Sequence, residues 1–318
     1  MSACTRSTCF APEITCEMGC LDHNKCREWN GESEVVVSQE NPIAEELVLP
    51  WSGSASGLVD MAFIAGRTKP MIVGIVGAQN AGKTTLLAAW YLLMGKGLIG
   101  TGKWQFAGSY TLAGWEAIAS SLRWSPGHSL NFPPHTTSRG GRAPGLLHFA
   151  FRNANTKLRE FMFADAPGEW FQKWAINRDA IDGGGARWVA EHADLFLLIA
   201  DREALSGPKM GSARGSLQVL ARRVAAERGA RPVALVWTKS DVTVDPGMEN
   251  AIRDAVFNSI PDAVEFSISI ESDPKDTLGK GQGLLELFDW ILEIRRERVL
   301  LPPLNVTSLD PLFMFGVR

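Results

Sequence analysis

The stretch Gly77-Ala78-Gln79-Asn80-Ala81-Gly82-Lys83-Thr84 decides the fold of this chain, because of what stands on either side of it. Before it, 71–76 is an apolar run of strand length; after it, Lys83-Thr84-Thr85-Leu86-Leu87-Ala88-Ala89 opens a helix. Gly-x4-Gly-Lys-Thr between a buried strand and a helix is the Walker A pattern in the context it requires; without that context it would be one more Gly-rich turn. Gly77 and Gly82 let the backbone curl so that successive amides point inward, and the dipole of the following helix favours anions there. The expected ligand is a nucleoside triphosphate. Gly77, Gln79, Asn80, Ala81, Gly82 and Thr85 would surround its phosphates, Lys83 would reach the β and γ phosphates, and Thr84 would ligate magnesium.

Outward from this loop, short apolar runs alternate with helical stretches, the pattern of a parallel sheet buried on both faces. Strands are expected at 71–76, 145–152, 160–164, 194–200, 232–237 and 264–270, and helices at 82–93, 212–228, 248–257 and 283–298. In the last helix Leu284, Leu287, Phe288, Ile291 and Leu292 recur at helical spacing while Glu286, Asp289, Glu293 and Arg296 fall elsewhere on the wheel, so one face should pack on the sheet. The fold class expected is α/β: a three-layer P-loop NTPase fold with a mostly parallel six-stranded sheet, plus a small Cys-rich N-terminal segment. The expected division is 1–33 for that segment, 34–70 for a connector packed on the main domain, 71–299 for the main domain and 300–318 for a tail. The tail carries an apolar Leu312-Phe313-Met314-Phe315 patch and should lie along the surface or dock on a partner.

Two further motifs stand at the ends of expected strands. Asp165-Ala166-Pro167-Gly168 follows Phe161-Met162-Phe163-Ala164. There, Asp165 can hold magnesium through water and the Gly168 amide can meet a γ phosphate; the plainer alternative is a common Asp-x-x-Gly turn. Thr238-Lys239-Ser240-Asp241 follows Val233-Ala234-Leu235-Val236-Trp237. The Asp241 carboxylate can accept two hydrogen bonds from the ring N–H and exocyclic amine of guanine, whereas adenine offers an acceptor and no amine. The Lys239 stem would pack on the base. The plainer alternative is a solvated charged loop.

These three boxes in this order resemble the translation-factor-related and Ras-like class of GTPases, with Thr238 where Asn is commoner. The segment Phe106-Ala107-Gly108-Ser109-Tyr110-Thr111-Leu112-Ala113-Gly114-Trp115, with Phe163-Ala164-Asp165-Ala166-Pro167-Gly168-Glu169, is further similar to the bacterial double-GTPase proteins of predicted conflict and defence gene clusters. The resemblance covers about residues 70–295. It implies a molecular switch that takes GTP or GDP with Mg2+ and whose γ phosphate orders two loops. Thr136 or Thr137 would reach the magnesium from the first loop, Thr137 also standing in the catalytic set with Lys83 and Glu169. Partners implied are proteins: another GTPase or a GTPase-associated effector. A fifth box is expected near 267–271, but Ser-Ala-Lys is absent there, which removes the usual residues for base contacts from that loop.

Small GTPases commonly carry Gln after Asp-x-x-Gly, and this chain has Glu169. An ionised carboxylate accepts from water but repels the γ phosphate, so slow basal GTP hydrolysis is expected. Turnover should rise when an arginine reaches the phosphates, from a partner or from Arg139 or Arg142 in cis. A capping role for Glu169 on the next helix is the plainer reading. The alternatives in function are an ATPase, or a structural adaptor that binds nucleotide without turnover.

Composition limits the remaining choices. Apolar residues make up 45% and charged residues 21% of the 318, with net charge −3, so nothing global favours nucleic acid or an anionic membrane. No run approaches the roughly 18 consecutive apolar residues of a membrane helix, and no basic start with an apolar run marks export, so a cytoplasmic location is expected. All five cysteines fall within the first 26 residues. Their odd number argues against a disulfide framework; Cys16, Cys20, His23 and Cys26 have ligand types suited to structural Zn2+, with reduced thiols as the alternative. The 11 tryptophans include Trp104, Trp115, Trp124, Trp170 and Trp174, which could form core or a partner-binding face.

Overall fold

The structure, a computed structural model, describes residues 60–100, 102–123, 145–270 and 281–296, together with Asp22, Lys25, Cys26 and Trp29. The chain divides into two units, Met1–Val48 and Leu49–Arg318. In the first, Lys25 pairs with Asp22 at 3.4 Å and the Trp29 amide donates to the Cys26 carbonyl at 3.1 Å.

Strand β1 (Met71–Val76) is buried along its whole length, and helix α2 (Lys83–Gly95) follows it across the glycine-rich loop. A short helix α1 (Met61–Ala65) precedes them. Next come β2 (Trp104–Gly108), α3 (Leu112–Ala119), β3 (Gly145–Asn153), β4 (Leu158–Asp165), α4 (Gly168–Ile176) and α5 (Gly184–His192). Then follow β5 (Leu195–Asp201), α6 (Arg202–Ser206), α7 (Met210–Glu227), β6 (Val233–Thr238), α8 (Pro246–Ser259), β7 (Val264–Ser267) and α9 (Leu284–Glu293). Among the described residues the strands form a seven-stranded sheet in the order β2-β3-β4-β1-β5-β6-β7. β4, β1, β5, β6 and β7 run parallel, and β3 and β2 add antiparallel at one edge.

Because successive side chains of a strand point to opposite faces, the apolar runs feed two cores. Ile72, Val76, Met162, Ala164, Phe196, Leu198 and Leu235 face one core, closed by α4, α5, α7 and α8. Val73, Ile75, Phe161, Phe163, Leu197 and Val236 face the other, closed by α2 and α9. This is the three-layer α/β arrangement expected. Local chemistry marks the helix ends: the Asp245 carboxylate accepts from the Met248 amide at 3.1 Å, and Pro246 opens α8, where a missing N–H leaves no bond unmade.

Several expectations are corrected. The sheet has seven strands rather than six, the addition being β2, whose register with β3 shifts between Phe106 and Gly108. Its pattern is one buried tryptophan followed by three exposed positions and a half-buried glycine, which carries no alternation to read. The last helix ends at Glu293 rather than running to 298, and its terminal carbonyls, Leu292 and Ile294, accept from the buried Arg159 guanidinium. β7 stops at Ser267, and Ser269 instead makes an isolated antiparallel bridge with Gln282. Of the two readings of the tryptophans the core reading holds: Trp104, Trp115, Trp170 and Trp174 are all buried. Trp124 lies outside the described residues. No helix among the described residues is long and apolar enough to cross a membrane.

Candidate functional site

A parallel sheet brings the C-terminal ends of its strands to one edge, where ligands of open α/β folds bind. Here that edge gathers the loop after β1, Asp165 at the end of β4, Asp201 at the end of β5, Thr238 at the end of β6 and the chain after β7. Between them lies a pocket of about 470 Å3 lined by residues 79–86, Ala166 and Gly168 on one side and by Glu203, Thr238, Lys239, Asp241 and 268–270 on the other.

The loop itself is held from inside. Asn80 and Gly82 take left-handed backbone conformations, φ 63° and 84°, and Gly82 starts α2 with no side-chain cap, so the first-turn amides keep no side-chain acceptor. The Lys83 ammonium folds back under the loop, donating to the Gly77 carbonyl at 3.2 Å and the Ala78 carbonyl at 2.7 Å. Burial pushes this ammonium down to about 8, with Asp165 opposing; an anionic ligand would restore its charge. The Thr238 hydroxyl donates to the Ala81 carbonyl at 3.0 Å. This bond ties the Thr238–Asp241 loop to the 77–84 loop.

The Thr84 hydroxyl donates to both oxygens of Asp165, at 3.1 and 3.3 Å. Alcohol and carboxylate oxygens meeting at a helix N-terminus are the hard donor set that Mg2+ takes, so these residues fit that ion. Gly168, the first residue of α4, lies against the loop so closely that a Cβ would stand 2.1 Å from the Gln79 nitrogen. Glu169 follows in the first turn with an exposed side chain; its charge suits the helix dipole, but no side chain caps α4.

On the other side, Lys239 (φ 54°) donates to the Asn80 carbonyl at 3.2 Å and pairs with Asp201 at 2.9 Å and Glu203 at 2.7 Å. Burial disfavours its charge, but the bonds it donates to Glu203 and Asp201 outweigh this and hold the ammonium above the ordinary lysine value. Asp241 is exposed and accepts from the Ser269 hydroxyl at 2.6 Å. The expected fifth-box region therefore reaches the pocket through Ile268, Ser269 and Ile270 although it lacks Ser-Ala-Lys.

The structure thus brings Gln79, Asn80, Ala81, Gly82, Lys83, Thr84, Thr85, Gly168, Thr238, Lys239 and Asp241 into one pocket, with Gly77 and Asp165 bonded to its lining. Thr136, Thr137, Arg139, Arg142, Cys16, Cys20 and His23 lie outside the described residues; Cys26 is a half-buried free thiol. Among the described residues no group of three His, Cys, Asp or Glu could hold a metal. Sequence reasoning missed Asp201, Glu203, Ser269 and Gln282. An acid directly after the apolar run 195–200 was a usable signal for Asp201, of the same kind that marked Asp165.

With this geometry in hand, comparison with known families is decisive: the Double-GTPase 2 model matches residues 71–291. The chain belongs to the Double-GTPase 2 family. The match runs from the first residue of β1 into α9, so it takes in the whole sheet and every described residue of the pocket. Curated protein sequences give no match. Among solved structures, similar chains include Era in complex with MgGDPNP and nucleotides 1506-1542 of 16S ribosomal RNA, at 18% identity and TM-score 0.36, covering 74% of this chain and 60% of that one. The GTPase-like domain of S. cerevisiae Ski7 bound to GTP is similar at 15% identity and TM-score 0.39, covering 74% of this chain and 53% of that one. The same domain bound to GDP and inorganic phosphate matches at 15% identity and TM-score 0.40, with the same coverage. This chain spans less than two thirds of the length of each.

Proposed function

We propose that this Double-GTPase 2 member binds GTP with Mg2+ in the 470 Å3 pocket and acts as a molecular switch that hydrolyses GTP slowly. One observation carries the reading: a Walker A loop, the Thr84–Asp165 pair, Gly168 and Asp241 converge on a single pocket in a chain of a GTPase family. Lys83 and the amides of residues 79–85 take the phosphates. Thr84 and Asp165 hold the metal, which when bound neutralises charge on the phosphate oxygens. The Gly168 amide meets the γ phosphate, and Asp241 accepts from guanine while the Lys239 stem packs on the base.

Glu169 supports slow turnover. Its carboxylate stands where an uncharged amide would orient water better, and repulsion from the γ phosphate raises the barrier. Slow turnover fits a role in which the bound nucleotide controls assembly with a protein partner, a second GTPase or a GTPase-associated effector, in a bacterial conflict or defence system. The same feature favours the second reading, an adaptor that retains nucleotide without turnover; phosphate release per bound nucleotide separates the two.

Equilibrium binding of GTP and ATP to the wild type and to Asp241→Asn tests the base assignment. GTP should bind more tightly, and Asp241→Asn should remove at least about tenfold of that preference, since each charge-assisted bond is worth roughly 1.5–3 kcal/mol. Equal affinities for the two nucleotides in the wild type would sink it.

A further inference from the structure

The base side of the pocket is braced by a short segment, Gly281-Gln282-Gly283, directly before α9. The Ser240 hydroxyl, inside the Thr238–Asp241 loop, donates to the Gln282 side-chain oxygen at 2.9 Å. The Gln282 backbone exchanges two hydrogen bonds with Ser269, at 3.1 and 2.8 Å, and Ser269 in turn donates to Asp241. The Ser240 amide also donates to the Ile268 carbonyl at 3.0 Å. Gln282 is therefore bonded to both loops, through its side chain to one and its backbone to the other.

The flanking glycines show how closely this brace is seated. Gly281 and Gly283 have φ of 68° and 66°, and a Cβ would stand 2.6 Å from the Ser269 carbonyl oxygen and 2.1 Å from the Ser267 carbonyl oxygen respectively. Only glycine satisfies both the left-handed backbone and the approach. Leu284, next in the chain, lines the pocket and accepts from the Trp90 indole N–H at 2.9 Å, so the brace is anchored to α2.

Resting on the guanine reading above, we infer that Gln282 is a positioning residue for base specificity, one that sets Asp241 by clamping Ser240 and Ser269 to each other. It touches no ligand itself. A carboxylate discriminates guanine from adenine only when both its oxygens are aimed at the two donors of the base, so slack in its loop removes preference before it removes binding. Phosphate-side contacts are made elsewhere and should be indifferent to Gln282.

The test is equilibrium binding of GTP and ATP to the full chain and its variants. Gln282→Ala should weaken GTP about fivefold and leave ATP within twofold, within the range of one hydrogen bond. Gln282→Glu keeps an acceptor for Ser240 and should hold the preference within twofold of the wild type. Ser240→Ala should match Gln282→Ala, and the double variant should be no worse than either. If Gln282→Ala does not fold, Ser240→Ala carries the test, since it removes the same side-chain bond and leaves the Gly281-Gln282-Gly283 segment unchanged. GTP and ATP weakened alike, additive effects in the double variant, or an unchanged preference in both single variants would each overturn the inference while the guanine reading stood. A wild type without preference for GTP would remove both.

Discussion

Replacing Gly168 by alanine tests the proposed γ-phosphate contact directly. The added Cβ would stand 2.1 Å from the Gln79 nitrogen, 2.4 Å from the Ala78 carbonyl carbon and 2.6 Å from the Gln79 Cα, all backbone atoms, where ordinary contact begins at 3.4 Å. One side must retreat by more than 1 Å. The loop is pinned by Lys83 on Gly77 and Ala78, by Thr238 on Ala81 and by Lys239 on Asn80. α4 begins at Pro167–Gly168 with no side-chain cap and an exposed Glu169, so α4 should yield. A 1 Å retreat breaks a hydrogen bond from the Gly168 amide to a γ phosphate, which for a charged acceptor is about 1.5–3 kcal/mol, or about 10–100-fold in GTP affinity. GDP lacks that phosphate and should lose less than about threefold. Overpacking should lower stability by about 1–3 kcal/mol, a fall in Tm of about 2–10 °C. Titration calorimetry with GTP and GDP, beside a thermal melt, reads all three quantities. GTP and GDP affinities both within twofold of the wild type would refute the placement of Gly168 at the γ phosphate, whereas GTP and GDP weakened alike and by more than that would show that the loop yields instead.

Three other outcomes are expected. Glu169→Gln should raise single-turnover GTP hydrolysis about tenfold while lowering stability by about 0.5 kcal/mol, because an anion leaves the first turn of α4; an unchanged rate would remove the account of slow turnover. Thr84→Ala should weaken nucleotide binding in the presence of Mg2+ and leave binding in EDTA nearly unchanged; equal losses in both would dissociate Thr84 from the metal. His148 is buried, its Nδ1 accepting from the Tyr110 amide at 3.1 Å, and burial with Arg67 nearby holds its imidazole down to about 3. The unfolded chain takes up a proton as pH falls through about 6.5 while the folded chain does not, so stability is lost from there toward pH 3 at up to about 1.4 kcal/mol per pH unit. Glu160 opposes this, since burial raises its carboxyl and the folded chain then takes up a proton first, with Arg67 lowering it in part. His148→Asn keeps an acceptor for Tyr110 and keeps Glu160, so its Tm should fall less between pH 7 and 5 than the wild type's; parallel melting curves would show that His148 does not titrate in this window.

The phosphate half of the site was legible because its chemistry is local. Gly82, Lys83 and Thr84 are neighbours in sequence, and the strand and helix that orient them adjoin them. Asp165 and Asp241 were legible for a related reason: Asp165 closes one buried strand and Asp241 stands in the loop after another, and ligands of open α/β folds bind at the C-terminal ends of parallel strands. β2 was not, because its single buried residue, Trp104, finds its place through pairing with Asn153, 49 positions away in numbering. Counting tryptophans could not separate core from interface either, since burial belongs to the packed layers. The base-side brace was least legible of all. Ser269 reaches Asp241 across 28 positions and Gln282 reaches Ser240 across 42, and neither pair has a spacing that a motif could encode. What sets them side by side is the parallel register of β6 and β7, which pairs Trp237 with Ser267 and delivers the two following loops to the same level. A slip of one residue in that register would turn the β7 side chains to the opposite face and carry Ser269 out of reach of Asp241. If Asp241 selects guanine as proposed, that selection depends on strand pairing as much as on the Thr238–Asp241 motif, and substitutions in β7 that weaken its pairing should reduce guanine preference without altering any residue that lines the pocket.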